Sequence, residues 1–577
     1  MSAVVTRVSG PVVEVSTGDG LAMLDLVHVG PHRLPGEVIA LGSASATVQV
    51  YEYTGGLKPG DEVVATGGPL TVELGPGLLG GVFDGVLRRL DSADARIEPG
   101  ATVRTLADGL AWHFEPAVQT GEEVSAGAVL GTVAESAAID HRVLVPPDGG
   151  GEVQWIAERG EYLIGGVVAR VAGAELGLSQ RWPVRRPRPF SARLPAAEPL
   201  VTGQRVLDML FPVARGSTAA IPGGFGTGKT VALQQIAKWC DAAVIVYVGC
   251  GERGNELADV LEEFEALEDP RTGRSLLDRT VLIANTSNMP VMAREASIYT
   301  GVAVAEYYRD MGHDAVVIAD STSRWAEALR ELASRTDELP AEEGYPAGLS
   351  SALAAFYERA GRVQTLGGPV ASVTVLGAVS PAGGDLTEPV TAHTRRFVRS
   401  VWSLDRDLAY ARHYPAVSWR DSSSRDAEQL AGWQAEHGDP EWGERRRWAL
   451  RLLTDSDRIE SIAQLVGADS LPAQERLALR IARLLREAVL QQSALLPNDQ
   501  YTSPAKQRAL LELVREIHSR LGARLLAGAG IGDVDAFDLG AVLHARYDSP
   551  PDGAAEVQEI GRPLLDELER LGEAQGR

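Results

Sequence analysis

Lysine is scarce in this sequence. Among 577 residues only Lys58, Lys229, Lys238 and Lys506 are lysines, and arginine carries the rest of the positive charge. Positive charge is itself short: 55 Lys and Arg stand against 78 Asp and Glu, a net charge of −23. An acidic chain of this kind lacks the basic face that a large nucleic-acid footprint needs, so no nucleic-acid partner is expected. Cysteine is nearly missing. Cys240 and Cys250 make neither a disulfide framework nor a metal-ligand set, and they suit a reduced, cytosolic compartment. The longest apolar runs, such as "AAVIVYVGC" (242–250), fall far short of a membrane span. No signal-peptide pattern opens the chain. Membrane association is therefore expected to run through partners.

The length asks for several cores. Residues 1–72 read as short strands between Gly, Pro and Asp turns, which predicts a small β-barrel, and 73–110 reads as a linker. Residues 111–180 are again β-like and rich in glycine, in the manner of a carrier-type β-sandwich. A carrier needs a lysine at its hairpin tip, and none lies between Lys58 and Lys229, so this is an architectural insert. "RWPVRRPRP" (181–189) reads as an extended, solvated linker. Residues 191–430 alternate buried strands with helical patterns, the mark of a parallel sheet covered on both faces, and with that linker they are read as one nucleotide-binding domain, 181–430. After 430, to 577, the pattern is helical; Leu477, Ile481, Leu484, Leu485 and Ala488 fall on one stripe. The expected fold is thus multidomain α/β: barrel, β-rich insert, P-loop domain and helical C-terminal domain.

The lysine at 229 is the one with an obvious task. "GGFGTGKT" (223–230) fits G-x-x-x-x-G-K-[ST], so Gly223, Gly224, Phe225, Gly226, Thr227, Gly228, Lys229, Thr230 and the following Val231 are the candidate nucleotide-binding stretch. Glycines let backbone N–H groups turn inward onto phosphate oxygens, Lys229 reaches the β- and γ-phosphates, and the Thr230 hydroxyl suits Mg²⁺. Leu233, Ile236, Ala237 and Cys240 follow at helical spacing, so a helix N-terminus points at the phosphates. "AVVIAD" ends a buried strand on Asp320, a second metal ligand. No glutamate follows Asp320; Ser321, Thr322 and Ser323 do. The water-activating carboxylate is therefore sought in "VGCGERGNE" (248–256), where Glu252 ends the strand after the P-loop helix and Arg253 beside it can neutralise phosphate charge. This layout is RecA-like, which leaves three readings open: a rotary ATPase, an export or RNA-translocating ring, and an inactive structural subunit.

Many stretches together narrow the choice. "GPGLLGGVFDGVLRRL" (75–90), "WPVRRPRPF" (182–190), "AAIPGGFGTGKT" (219–230), "VYVGCGERGNE" (246–256), "ANTSNMPVMAREASIYTG" (284–301), "IADSTSRWAEALRE" (318–331), "EEGYPAGLSSALAAFYERAG" (342–361) and "NDQYTSPAKQ" (498–507) resemble the catalytic A subunits of V/A-type rotary ATPases. The resemblance implies a bulge domain made by the insert, ATP or ADP with Mg²⁺, and a homologous non-catalytic B subunit in an alternating A3B3 head. It implies central and peripheral stalks, an indirect link to a membrane ion-translocating sector, and a peripheral place on the cytoplasmic face of the membrane. It also implies Tyr414, in "RHYPAVSW" (412–419), as the adenine platform, with Tyr501 as a further adenine contact. The chain departs from the family's usual pattern at Gly224 and Arg89, where proline is usual, at Thr227, where serine or cysteine is, and over "SWRDSSSRDAEQL" (418–430).

Overall fold

A computed structural model describes residues 3–17, 20–90, 100, 105–107, 109–269, 271–335 and 339–571. Much of the expected linker (91–99, 101–104 and 108) and the ends of the expected barrel and helical segments (1–2 and 572–577) lie outside the described residues, as do 18–19, 270 and 336–338. The chain divides into two compact units. One comprises Met1–Ala196, Arg215–Thr218 and Ala242–Phe397; the other comprises Ala197–Ala214, Ala219–Asp241 and Val398–Arg577. The division cuts through 181–430, which the sequence reads as one nucleotide domain.

In the first unit, six strands between Ala3 and Pro69 close into a barrel in the order first, second, fifth, fourth, third, sixth. Alternation drives it. In Asp25–Val29 every second residue is buried, and Val27 and Val29 join a core of valines from all sides. Closure leaves no unpaired edge. Residues 111–177 make two four-stranded antiparallel sheets, the expected β-rich insert, around Leu130, Val145, Val153 and Ala169.

The parallel sheet runs Val370–Val379, Ala315–Asp320, Val244–Glu252, Thr280–Thr286 and Val82–Phe83. Its central strands are buried along nearly their whole length, which is why they appear as unbroken apolar runs. Val82–Phe83, inside the stretch read as a linker, adds an edge strand. The arginine-rich segment corrects its expectation as a solvated spacer. Arg185 forks between Glu37 of the barrel and Glu295, and fully buried Arg188 binds Asp310 at 2.6 Å. Planar guanidinium groups can bridge two carboxylates, and here they pin the barrel and the arginine-rich segment itself to the helix Val291–Asp310.

The second unit holds the P-loop segment and the C-terminal helices, chiefly Trp442–Val466, Ala473–Leu484, Pro504–Leu526 and Ala554–Glu569. The predicted stripe Leu477, Ile481, Leu484, Leu485 and Ala488 is buried, with Leu485–Leu490 continuing the helix in wider π turns. Pro504 opens its helix at a position where no N–H is needed, and the Ser503 side chain caps it. Buried Arg205, in the short helix Arg205–Leu210 that precedes the P-loop segment, ties the stretch Ala197–Ala214 to these helices. It binds Asp499 and donates to the Val489 and Gln491 carbonyls and to Thr502.

Candidate nucleotide site

The predicted site residues fall in both units, and each group is built within its own. In the second unit, Ala219 and Ala220 pair in parallel with Ser400 and Val401, and the Pro222 carbonyl accepts the Leu404 N–H at 2.8 Å. The loop that follows is set by Gly226 and Gly228, at φ +78° and +82°. Only glycine takes that left-handed backbone without cost, and it turns successive N–H groups into one concavity. The buried Thr227 hydroxyl donates to the Gly224 carbonyl at 2.9 Å and braces the loop across its base.

The helix Lys229–Trp239 starts at once, with Leu233, Ile236 and Ala237 fully buried, so its positive end is fixed beneath the loop. Lys229 is half-buried; Thr230 and Val231 are exposed on the first turn, and Phe225 is 96% exposed at the lip. A Cβ on Gly224, where proline is usual, would lie 2.9 Å from Nε and Nη2 of Arg406, so the flexible Arg406 side chain occupies the space a larger residue would need.

The structure brings Tyr414 to this loop. A Cβ on Gly228 would lie 3.1 Å from Tyr414 Cε1. The backbone that presents the ring is fastened from behind, where Gln492 N donates to the Tyr414 carbonyl at 2.7 Å. Tyr501 is not brought there. It stacks on Trp239, ring centroids 5.2 Å apart, at the opposite end of the P-loop helix. At ~1.5 Å per residue that is roughly 15 Å from the phosphate end.

In the first unit, Glu252 and Asp320 stand at the carboxyl ends of neighbouring parallel strands, with Gly249 paired to Asp320 in register. That edge is where α/β sheets bind ligands. Burial raises the Glu252 carboxyl to about 7, helped by the Asp320 charge and a hydrogen bond to Glu256, while Arg324 pulls the other way. A carboxylate so placed can exchange a proton near neutral pH. Arg253 is exposed and forms the N-cap of the helix Gly254–Ala266. Arg324 was missed by the sequence reading. Its signal was its place in "DSTSR", one turn after Asp320. Tyr247, in the same strand as Glu252, also went unnoticed because a tyrosine inside an apolar run reads as core; its hydroxyl donates to Asp320 Oδ2 at 3.0 Å.

Taken each in its own unit, the Thr230 hydroxyl and the Asp320 carboxylate are hard oxygen donors of a kind that suits Mg²⁺. Among the described residues no group of three or more His, Cys, Asp or Glu is arranged to hold a metal by itself. No helix of the described residues is long and apolar enough to cross a membrane.

Residues 203–424 match the nucleotide-binding domain of the ATP synthase alpha/beta family, 5–67 its beta-barrel domain and 103–185 its barrel-sandwich domain. Residues 431–526 match the C-terminal domain of V and A type ATP synthase. In Haloferax volcanii, the A subunit of the A-type ATP synthase is 48% identical over 575 residues, covering 98% of each chain. The V-type ATP synthase alpha chain of Nitrosococcus oceani is 52% identical over 560 residues, covering 95% of this chain and 94% of that one. Its counterpart in Anaeromyxobacter dehalogenans is 52% identical over 572 residues, covering 98% of each.

Proposed function

The chain belongs to the V- and A-type branch of the ATP synthase alpha/beta family, and from that membership we propose how its residues divide the work. It is a catalytic subunit of an ion-coupled rotary ATP synthase or ATPase, interconverting ATP with ADP and phosphate. The loop Gly223–Thr230 wraps the phosphates, and Lys229 balances the charge on the β- and γ-groups. Thr230 and Asp320 would hold Mg²⁺, which supplies neutralisation of phosphate charge. Glu252 accepts a hydrogen bond from the attacking water and orients it in line with the γ-phosphorus; Arg253 and Arg324 set the charge around it. Tyr414 stacks on adenine. Tyr501 acts behind it, holding the far end of the P-loop helix through Trp239.

The observation that carries the water-activating role is the Glu252 carboxyl, raised to about 7 by burial and Asp320 at the ligand edge of the sheet. Removing one such preorganised group costs roughly 10²–10³ in rate.

The assembly is an alternating A3B3 head with a homologous non-catalytic B subunit, carried on stalks at the cytoplasmic face of the membrane. A partner arginine acting across that interface is worth about 10³–10⁵ in rate. The test is hydrolysis by the purified chain before and after adding the B-type subunit, with Glu252→Gln in parallel. A large rise on mixing, with Glu252→Gln inactive yet binding Mg-nucleotide, is expected. Full activity of the lone chain, or near-normal turnover of Glu252→Gln, overturns the reading.

A further inference from the structure

The second unit contains a basic hollow that the nucleotide reading does not use. Its volume is about 510 Å³, and Arg483, Arg486, Arg546, His413 and His544 line it with Glu487 as the one carboxylate among its described lining residues. Burial, then the charges of Arg486 and Arg546, pulls the His413 imidazole down to about 4. The ring is therefore neutral at physiological pH.

The arginines are only partly engaged. The Arg483 side chain is 75% exposed, and its ion pair with Glu487 is the kind of surface contact that holds weakly. Arg546 Nε is a buried donor without a hydrogen-bond acceptor among the described residues. It approaches Asp499 only to 3.9 Å, and that carboxylate already pairs with Arg205 at 2.7 Å. Arg486 is the most committed, pairing with Glu460 and lying over Trp419. Three guanidinium groups against one lining carboxylate make a concave surface suited to several negatively charged oxygens at once.

The hollow is wired to the loop that carries Tyr414. Arg546 donates to the carbonyl and the side-chain oxygen of Gln491. Gln491 Nε2 donates to the Arg412 carbonyl at 3.2 Å, and Gln492 N to the Tyr414 carbonyl. His413, in the wall, sits between those two residues.

We propose that this hollow binds a small multivalent oxyanion of phosphate chemistry, and that its occupancy is passed through Gln491 and Gln492 to the ring of Tyr414 beside the P-loop. The second half rests on the place given to Tyr414 against adenine. An oxyanion drawing Arg546 toward itself changes the hold on Gln491, and with it the backbone that presents Tyr414.

The test uses the full chain saturated with Mg-ADP, so that the P-loop is filled, and calorimetric titration with inorganic phosphate, pyrophosphate and adenosine monophosphate. The first two report a bare oxyanion, the third a phosphate ester. One further site is expected, weakened roughly tenfold by Arg486→Gln and about threefold by Arg483→Gln. Glu487→Gln removes a repelling charge and should tighten binding severalfold, a gain that misfolding cannot imitate. Lys229→Ala should still bind pyrophosphate in the hollow.

Binding that none of these hollow variants alters is an adventitious ion only and overturns the site, as does binding that vanishes once ADP fills the P-loop. A shift in ADP affinity with the oxyanion in wild type, absent in Arg486→Gln, supports the coupling; no shift overturns it. Tyr414→Ala with unchanged ADP affinity would sink the adenine reading while leaving oxyanion binding standing.

Discussion

Tyr247 donates its phenolic proton to Asp320 Oδ2 at 3.0 Å from within the neighbouring parallel strand, both side chains being almost wholly buried. The bond fixes one oxygen of the carboxylate assigned to the metal, so the tyrosine acts as a positioning residue. Tyr247→Phe keeps the ring and its packing against Phe264. It leaves a buried acceptor short of a donor, at about 1–3 kcal/mol. Mg-dependent nucleotide binding should weaken by roughly tenfold, with the Mg²⁺ activation curve moved to higher concentration and the fold kept. An unchanged Mg²⁺ curve would show that the phenol does nothing for Asp320.

The sequence made the P-loop and the sheet legible because both are local. Glycines at 226 and 228 permit the left-handed loop that the motif needs, and the buried strands ending at Glu252 and Asp320 are nearly unbroken apolar runs. What stayed hidden depends on partners distant in the chain. Arg185 reads as a solvated linker residue until Glu37 and Glu295, 148 and 110 positions away, close on it. Tyr501, read as a second adenine contact, stacks on Trp239, a residue 262 positions away that no local spacing pairs with it. No local pattern announces that the P-loop helix shares a unit with the C-terminal segment, since its links are to residues far along the chain: Lys238 Nζ donates to Gln500 Oε1, 262 positions away, and Trp239 stacks on Tyr501.

Glu252 ties catalysis to pH. In the free chain its carboxyl lies at about 7, against 4.5 for an ordinary glutamate. Between those values the folded chain holds a proton that the unfolded chain has released. Stability is therefore present at low pH and falls as pH rises from about 4.5 to about 7. Glu252→Gln should remove that loss, stabilising the nucleotide-free chain by about 1–3 kcal/mol at pH 8 and by almost nothing at pH 4.5. Hydrolysis, which needs the carboxylate, should lose about tenfold in kcat/KM per pH unit below 7. Denaturation of both proteins at the two pH values checks the first part, and a pH–rate profile of the wild-type head checks the second.

Two P-loop glycines should respond differently. Gly228→Ala meets a backbone at φ +82° and the Tyr414 ring 3.1 Å from the new Cβ. Strain of about 1 kcal/mol or more adds to displacement of the ring, and nucleotide affinity should fall at least tenfold. Gly226→Ala, at φ +78° with open space beyond its Cβ, carries only the backbone cost. At Gly224 the obstacle is Arg406. Gly224→Pro should be tolerated better in the Arg406→Ala background than alone, with a coupling of about 1 kcal/mol in nucleotide binding. Additive effects would mean that Arg406 does not fill the space left by the missing side chain.

Lys506, one of the four lysines, has no access to solvent, and its ammonium donates to the carbonyls of Asn498 at 3.1 Å, Arg546 at 2.7 Å and Ser549 at 2.9 Å. Three acceptors match the three protons of an ammonium, so one charge closes the loop before the helix Pro504–Leu526 onto the end of the helix Gly540–Asp548. Lys506→Met keeps the aliphatic stem and leaves three carbonyls unpaired. The loss should be about 3–5 kcal/mol, since each buried carbonyl left without a donor costs about 1–3 kcal/mol. It should appear first as faster hydrogen exchange of residues 498–506 and 546–549. Asp499, held by Arg205 beneath that loop, should loosen next. Because Arg205 also grips the Gln491 carbonyl, and Gln492 carries Tyr414, ADP affinity should fall together with stability. Lys506→Arg offers planar, differently spaced donors and should recover only part of the loss. Exchange rates unchanged in Lys506→Met would show that the loop is held by something other than this lysine.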